Sequence, residues 1–189
     1  MSLDTIQAIC TRYSCRAFSD KLPSDEDLQT IAEAAIASPS GMNRQLWRVI
    51  VVKNRDLMND LEEEGIKNLA AFPDKSTYER IMSRGGKVYY NAPVMVVVPI
   101  AKTEPSGAEF FDCGIVSENI ALAATALGIG SLICGLAAFS FAGDRGKEFK
   151  QRLCFPDGYE IGIAVLLGYA ENPGGKPHKP DFSKISFIE

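Results

Sequence analysis

Residues 119–143 carry no formal charge, and no other feature of the chain restricts its fold as tightly. A run of that length can reach across a lipid bilayer. Its interior argues otherwise. Gly128 and Gly130 interrupt it, Ser131 and Gly135 follow, and neither a basic cluster nor an aromatic belt marks an end. A buried helix ending near Gly128, followed by a turn, explains the same residues with less strain. The whole chain suits such a helix: 189 residues, 46% hydrophobic and 23% charged, hold enough apolar material to exclude disorder. They are also enough to build a core without staples, and one domain over residues 1–189 is expected.

Charge and cysteine usage exclude further classes. Lys+Arg total 20 and Asp+Glu total 24, so the net charge is −4 with the histidine neutral. A nucleic-acid binder needs the cationic surplus that is missing here. The five cysteines (Cys10, Cys15, Cys113, Cys134 and Cys154) are odd in number, widely spaced and form no CxxC pair; His178 is the only imidazole. Neither a disulfide framework nor a zinc site fits that pattern. Reduced thiols are expected instead. Met1-Ser2-Leu3-Asp4 opens without a basic region leading into an apolar core, so no signal peptide and a cytoplasmic protein are expected.

Periodicity gives the order of elements. Leu3, Ile6, Ile9 and Cys10 recur at helical spacing. Ser24 can cap a second helix whose first turn is Asp25-Glu26-Asp27 and whose stripe is Leu28, Ile31, Ala32, Ala35 and Ile36. Pro39 stops it. Residues 47–52 read as a strand, and Leu57, Leu61 and Leu69 as a helix. Residues 64–87 lack a period and are where a lid or insertion would sit. Residues 93–100 are a continuous apolar run, the pattern of a strand buried on both faces.

Residues 107–127 are the longest helical pattern. Phe110, Phe111, Ile115, Ile120, Ala121 and Ala124 surround much of its circumference, which places it in the domain centre or in a subunit interface. Residues 141–153 are helix-like with weak points at Gly143 and Gly146. Pro156-Asp157-Gly158 is a turn, residues 159–169 a strand, and residues 171–180 an extended tail. The fold class is α+β, helices flanking a small sheet.

Four constellations could carry chemistry. Arg12, Ser14 and Arg16 alternate, so an extended backbone points them one way, as a receptor for a phosphate or an electron-rich ring edge; the alternative is a solvated basic turn. In the run from Pro39 to Trp47, Gly41 allows close approach to the backbone, and Asn43 offers a donor and an acceptor to an amide or imide edge. An ordinary helix–strand turn would use the same residues. Gly128-Ile129-Gly130-Ser131-Leu132-Ile133-Cys134-Gly135 follows a helix rather than a strand, so it is not a dinucleotide fingerprint. A turn with free N–H groups is the better reading. In the tail, Lys176, His178 and Lys179 could clamp a phosphate or simply be solvated. A thiol nucleophile is a minor alternative: Cys15 lies beside Arg12 and Arg16, which would lower its pKa.

In register, these pieces resemble the FMN-dependent nitroreductase family over nearly the whole chain. Arg12-Tyr13-Ser14-Cys15-Arg16-Ala17-Phe18 is similar to its N-terminal Arg-x-Ser-x-Arg/Lys-x-Phe. Residues 37–47 are similar to Ala-Pro-Ser-x-x-Asn-x-Gln-Pro-Trp, with Ser38 and Leu46 in place of the usual Ala and Pro. Asn91-Ala92-Pro93 before an apolar strand, Asp112-Cys113-Gly114 opening the central helix and Ala126-Leu127-Gly128-Ile129-Gly130-Ser131 closing it complete the match.

The resemblance implies a small, mainly antiparallel sheet, a long central helix, an extended C-terminal arm, and a homodimer with two FMN sites at its interface. It assigns Arg12, Tyr13, Ser14 and Arg16 to FMN, and Pro39, Ser40, Gly41 and Asn43 to the flavin of the other subunit. Cys134 and Gly135 fall where the family aims a backbone N–H at flavin N5. Lys176 and His178 fall where it commonly has cations for the phosphate. His178 departs from that pattern, being mostly neutral near pH 7, and Lys179 is positioned to replace it. The implied activity is ping-pong hydride transfer from NADH or NADPH to nitroaromatics, quinones or similar electron-poor rings, with no metal and no protein general acid. Arg16 is the implied electrostatic stabiliser of reduced flavin. Reductive dehalogenation, ring modification or flavin binding without turnover are the alternatives on the same fold.

Overall fold

The computed structural model describes residues 4–101 and 107–189. One four-stranded antiparallel sheet runs in the order β1-β2-β4-β3. Its strands are β1 (Ile50–Val52), β2 (Val94–Ala101), β3 (Gly130–Cys134) and β4 (Tyr159–Gly168). β4 pairs with β2 from Val94↔Leu167 to Ala101↔Tyr159 and with β3 from Gly130↔Gly168 to Cys134↔Ala164.

Helices cover both faces. On one, Val94, Val96, Val98 and Ile100 of β2 meet α2 (Asp25–Ile36) and α5 (Ala108–Ala126). On the other, Met95 and Val97 meet α3 (Arg55–Ala71), α4 (Ser76–Met82) and α6 (Gly146–Arg152). Successive side chains of one strand therefore enter opposite cores, which is why residues 93–100 are apolar without alternation.

Local signals set the helix ends. Ser24 Oγ accepts from the Asp27 N–H at 3.1 Å, and Asn54 Oδ1 from the Leu57 N–H at 2.9 Å, opening α2 and α3. α5 closes in a left-handed turn at Gly128, φ 73°, where the Ile129 N–H reaches back to Ala124 O at 2.8 Å. Val116, Ile120, Ala121 and Ala124 of α5 are buried. No described helix is long and apolar enough to cross a membrane.

Several expectations need correction. Residues 130–134 are not a turn but β3: the segment leaves α5 and adds to the free edge of β4. Its strand state comes from that pairing, which a five-residue sequence with glycine at its start does not announce. Residues 141–153 are not one helix. A 3-10 helix (Gly135–Phe141) ends there, and α6 begins only at Gly146. Between residues 47 and 52 only Ile50–Val52 join the ladder, with Trp47 making a lone bridge to Ile100. Residues 64–87 contain the end of α3 and all of α4.

The apolar stripe of α1 (Thr5–Thr11) is also reversed. Only Ala8 is buried, while Ile6, Ile9 and Cys10 are exposed; Leu3 lies outside the described residues. α1 packs against α5, whose Phe110, Phe111 and Ile115 are exposed as well. From residue 171 on the tail is exposed throughout, with Phe182, Ile185, Phe187 and Ile188 presenting apolar side chains outward.

Ile120 is fully buried between α5 and the sheet. Ile120→Ala is expected to lower unfolding free energy by about 2–5 kcal/mol, read from the urea midpoint at unchanged slope.

Candidate functional site

β3 is an edge strand of the sheet, and residues 14–15 run beside it. Ser14 makes a parallel bridge to Ser131, and the Cys15 N–H donates to Ser131 O at 2.8 Å. The two chains meet closely because Gly130 has no side chain: a Cβ there would sit 3.0 Å from Gly168 O and 3.1 Å from Cys15 Cβ. Farther on, the Ser19 N–H donates to Tyr169 O and the Glu171 N–H to Ala17 O, so residues 14–19 are stitched to the sheet at both ends. The backbone is extended beside β3 at Ser14, but Arg12 caps α1 and turns to Glu118, so the three side chains expected to point one way do not share a hollow.

That placement gathers part of the expected site. Arg16, Cys134 and Gly135 line one pocket of about 320 Å3, with Leu132, Ile133 and Leu136 as apolar wall. The facing wall was not anticipated: Arg80, Ile81 and Arg84 from α4 and the residues just after it, then Val88 and Tyr90. No motif in the sequence singles out Arg80 or Arg84.

The segment carrying Val88 and Tyr90 is held from three sides. The buried Glu62 carboxylate accepts from the Tyr89 N–H at 2.6 Å and from Lys87 Nζ at 3.1 Å. Arg55 Nη1 donates to Asn91 O and Ala92 O at 3.2 and 3.1 Å. The Cys134 thiol points at Val88 O, 3.8 Å away. These contacts stabilise Tyr90 and Asn91 with φ of 51° and 55°, a conformation that non-glycine residues rarely adopt unsupported.

The remaining expected residues lie elsewhere. Arg12 Nε sits 3.3 Å from Glu118 Oε1 on α5, out of line for a hydrogen bond, and this buried nitrogen has no hydrogen-bond partner among the described residues. Tyr13 faces a second hollow of about 470 Å3, lined also by Gly130, Ser131, Gly174 and Gly175. There the tail lies against the Tyr13 ring so tightly that a Cβ on Gly175 would fall 2.0 Å from Cε2. Lys176, His178 and Lys179 follow this contact as exposed residues.

Pro39, Ser40, Gly41 and Asn43 line neither hollow. Their loop is anchored on α5: the Gly41 N–H donates to Asp112 at 3.2 Å, and Asn119 Nδ2 to the buried Ser38 Oγ at 2.8 Å. Met42, Asn43 and Gln45 all adopt positive φ, and Gln45 Nε2 donates to Asn43 Oδ1 at 2.9 Å. The loop is thus a built, exposed feature of the α5 side.

The donor set fits FMN. Arg16 and the exposed Gly135, where a Cβ would meet nothing within 4 Å, line one hollow, and the buried Arg12 Nε has no hydrogen-bond partner among the described residues. The buried thiols Cys15, Cys113 and Cys134 are poor nucleophiles. Burial pushes Cys134 up to about 11 and Cys113 up to about 12. Burial also raises Cys15, outweighing Arg16 and reversing the lowering expected from its arginine neighbours.

The chain matches the profile of the nitroreductase family over residues 9–169. A nitroreductase of Desulfitobacterium hafniense, solved with bound FMN, is 54% identical over 100% of both chains, with a TM-score of 0.94. One of Bacteroides fragilis, also with bound FMN, is 29% identical over 100% of both chains, TM-score 0.89. A protein of Archaeoglobus fulgidus whose name pairs NADH dehydrogenase with NAD(P)H nitroreductase is 33% identical over 172 residues, 89% of this chain and 87% of that one.

The buried thiols make stability pH-dependent. Above the ordinary thiol value of 9.0 the unfolded chain releases protons that folded Cys134 and Cys113 retain up to about 11 and about 12. Stability is therefore full below pH 9 and falls as pH rises through that window, by about 1.4 kcal/mol per pH unit and thiol. Urea midpoints measured at pH 8, 9, 10 and 11 are expected to decline only above about pH 9, and less steeply in Cys134→Ala.

Proposed function

The chain belongs to the nitroreductase family, and we propose that it works as an FMN-dependent NAD(P)H oxidoreductase passing hydride to nitroaromatics, quinones or similar electron-poor rings. The observation that carries this reading is the pocket at the end of β3, where Arg16, Cys134 and Gly135 line one concave surface. FMN, when bound, supplies the two-electron chemistry. The chain holds and tunes it. The Gly135 N–H is the donor for flavin N5, and Arg16 brings positive charge to the pyrimidine edge, where a reduced ring gathers negative charge. Arg12, Tyr13 and Ser14 serve the ribityl chain and phosphate, with Lys176, His178 and Lys179 on the tail as further cations. Neither reductant nor acceptor needs a protein nucleophile, and the raised thiols offer none.

We place the site at a homodimer interface. The Pro39–Ser40–Gly41–Asn43 loop, remote from the pocket of its own protomer, would reach the flavin of the partner. The exposed apolar side chains of α1, α5 and the tail support this arrangement, since such groups on one molecule mark a surface that another chain covers. NADH or NADPH and the acceptor would occupy the same open face in turn, giving ping-pong kinetics.

The test uses FMN-loaded protein under anaerobic conditions. Bleaching of flavin absorbance by NADH or NADPH, and its return with a quinone or nitroaromatic, are expected. A flavin that neither nucleotide reduces contradicts the reading. Arg12→Ala and Arg16→Ala should each weaken FMN binding by about 1.5–3 kcal/mol, the usual worth of a charge-assisted contact. Unchanged FMN affinity in both variants contradicts the placement of the site.

A further inference from the structure

The pocket at the end of β3 holds three guanidinium groups, Arg16, Arg80 and Arg84, and no carboxylate lines it. In a chain of net charge −4 that imbalance needs a reason. A second groove, lined by Arg48, Lys53 and Arg152, is equally cationic but its charges are all engaged. Lys53 pairs with Asp25 at 2.6 Å and Arg152 with Asp60 at 2.6 Å. Arg48 donates to Trp47 O at 2.8 Å and lies over the Tyr159 ring. By contrast, no carboxylate among the described residues pairs with Arg80 or Arg84.

Their backbone setting is fixed. Arg80 lies in the last turn of α4, and Arg84 follows four residues later, beyond the helix, where the Arg84 and Gly86 N–H groups return to Ile81 O at 3.0 Å each. Ile81 between them is buried in the core, so both arginines are carried on an anchored turn. Positive charge at a helix C-terminus is favourable in itself. That accounts for the position of Arg80 on α4 but not for both side chains lining the wall that faces Cys134 and Gly135.

We propose that Arg80 and Arg84 form an oxyanion subsite that selects reactants carrying a carboxylate, sulfonate or phosphate. This rests on the flavin reading of the same pocket, because the reactant stacked there would be the one selected. Two guanidinium groups four residues apart, on the end of α4 and the turn after it, suit an anion with several acceptor oxygens, and neither must break an ion pair to receive it. The anion has two possible sources, the acceptor itself or the 2′-phosphate of NADPH. Of the nearby cations, Arg80 and Arg84 line the pocket, whereas Lys87 is taken by Glu62 and Arg48 is engaged elsewhere.

The test compares the full-length FMN-loaded protein with Arg80→Gln/Arg84→Gln and with Arg80→Lys/Arg84→Lys. Calorimetry reads the affinity ratio of 4-nitrobenzoate to 4-nitrobenzamide, isosteres that differ in charge, and of NADP+ to NAD+, which transfer no hydride to oxidised flavin. Wild type is expected to favour the anion in at least one pair. The glutamine variant should lower that ratio about tenfold, and the lysine variant should restore part of it. A fall confined to the benzoate pair assigns the subsite to the acceptor; one confined to the dinucleotide pair assigns it to the reductant. Equal ratios in wild type and the glutamine variant for both pairs overturn the proposal. FMN content and reduction by nucleotide, measured on the same samples, score the flavin reading separately, since calorimetry needs no flavin signal.

Discussion

The pairing of β3 between β4 and the 14–15 segment is the constraint on which the site depends. β3 is five residues long and begins with glycine, so it has little strand preference of its own. It is held on one side by β4, the strand that also pairs with β2 across the centre of the sheet. On the other it is held by the Ser14–Ser131 bridge and the Cys15–Ser131 hydrogen bond. One short strand therefore fixes two things at once: where Arg16 stands, and where the chain turns out of the sheet at Cys134 and Gly135. Gly130 makes the close approach possible, and the buried Cys15 fills the space that its missing side chain leaves.

Electrostatics then divides the surface by use. Most cations of the chain are neutralised by neighbouring carboxylates or spent on carbonyls and rings. Around β3, Arg16, Arg80 and Arg84 line a pocket that holds no carboxylate, and Arg12, paired with Glu118, keeps a buried Nε without a hydrogen bond. Unspent donors at the end of a rigid sheet are what an anionic cofactor and its reactants require. Rigidity comes from beneath. Glu62 and Arg55 tie residues 87–92 to α3, so the pocket wall rests on a helix rather than on a free loop.

Much of this was legible in the residues. Ser24, Pro39 and Gly128 act locally, through a side-chain cap, a missing N–H and a tolerated left-handed turn, and each set the helix end that it signalled. The uninterrupted apolar run of β2 reported burial on both faces. What stayed hidden depends on partners distant in sequence. β3 exists because of β4. Glu62 and Glu64 are buried while Glu63 between them is exposed, and no rule of periodicity separates three consecutive glutamates. Arg80 sits on a seven-residue helix with no side-chain cap, and Arg84 on the turn just after it, both too short to leave a pattern. Cys15 shows the limit of reasoning from neighbours, since burial overrode the adjacent charge. The exposed stripe of α1 shows that helical spacing does not say which side is covered.

The most direct test of the account is a crystal structure of the protein grown with FMN. The account predicts the ring system in the pocket at the end of β3, its N5 edge against the Gly135 N–H and its pyrimidine edge against Arg16. It predicts the phosphate among Arg12, Ser14 and the tail cations, with the Pro39–Asn43 loop of a partner protomer closing the site. FMN bound instead in the groove beside Arg48 and Arg152, or a monomer whose pocket stays open after FMN binds, would contradict it.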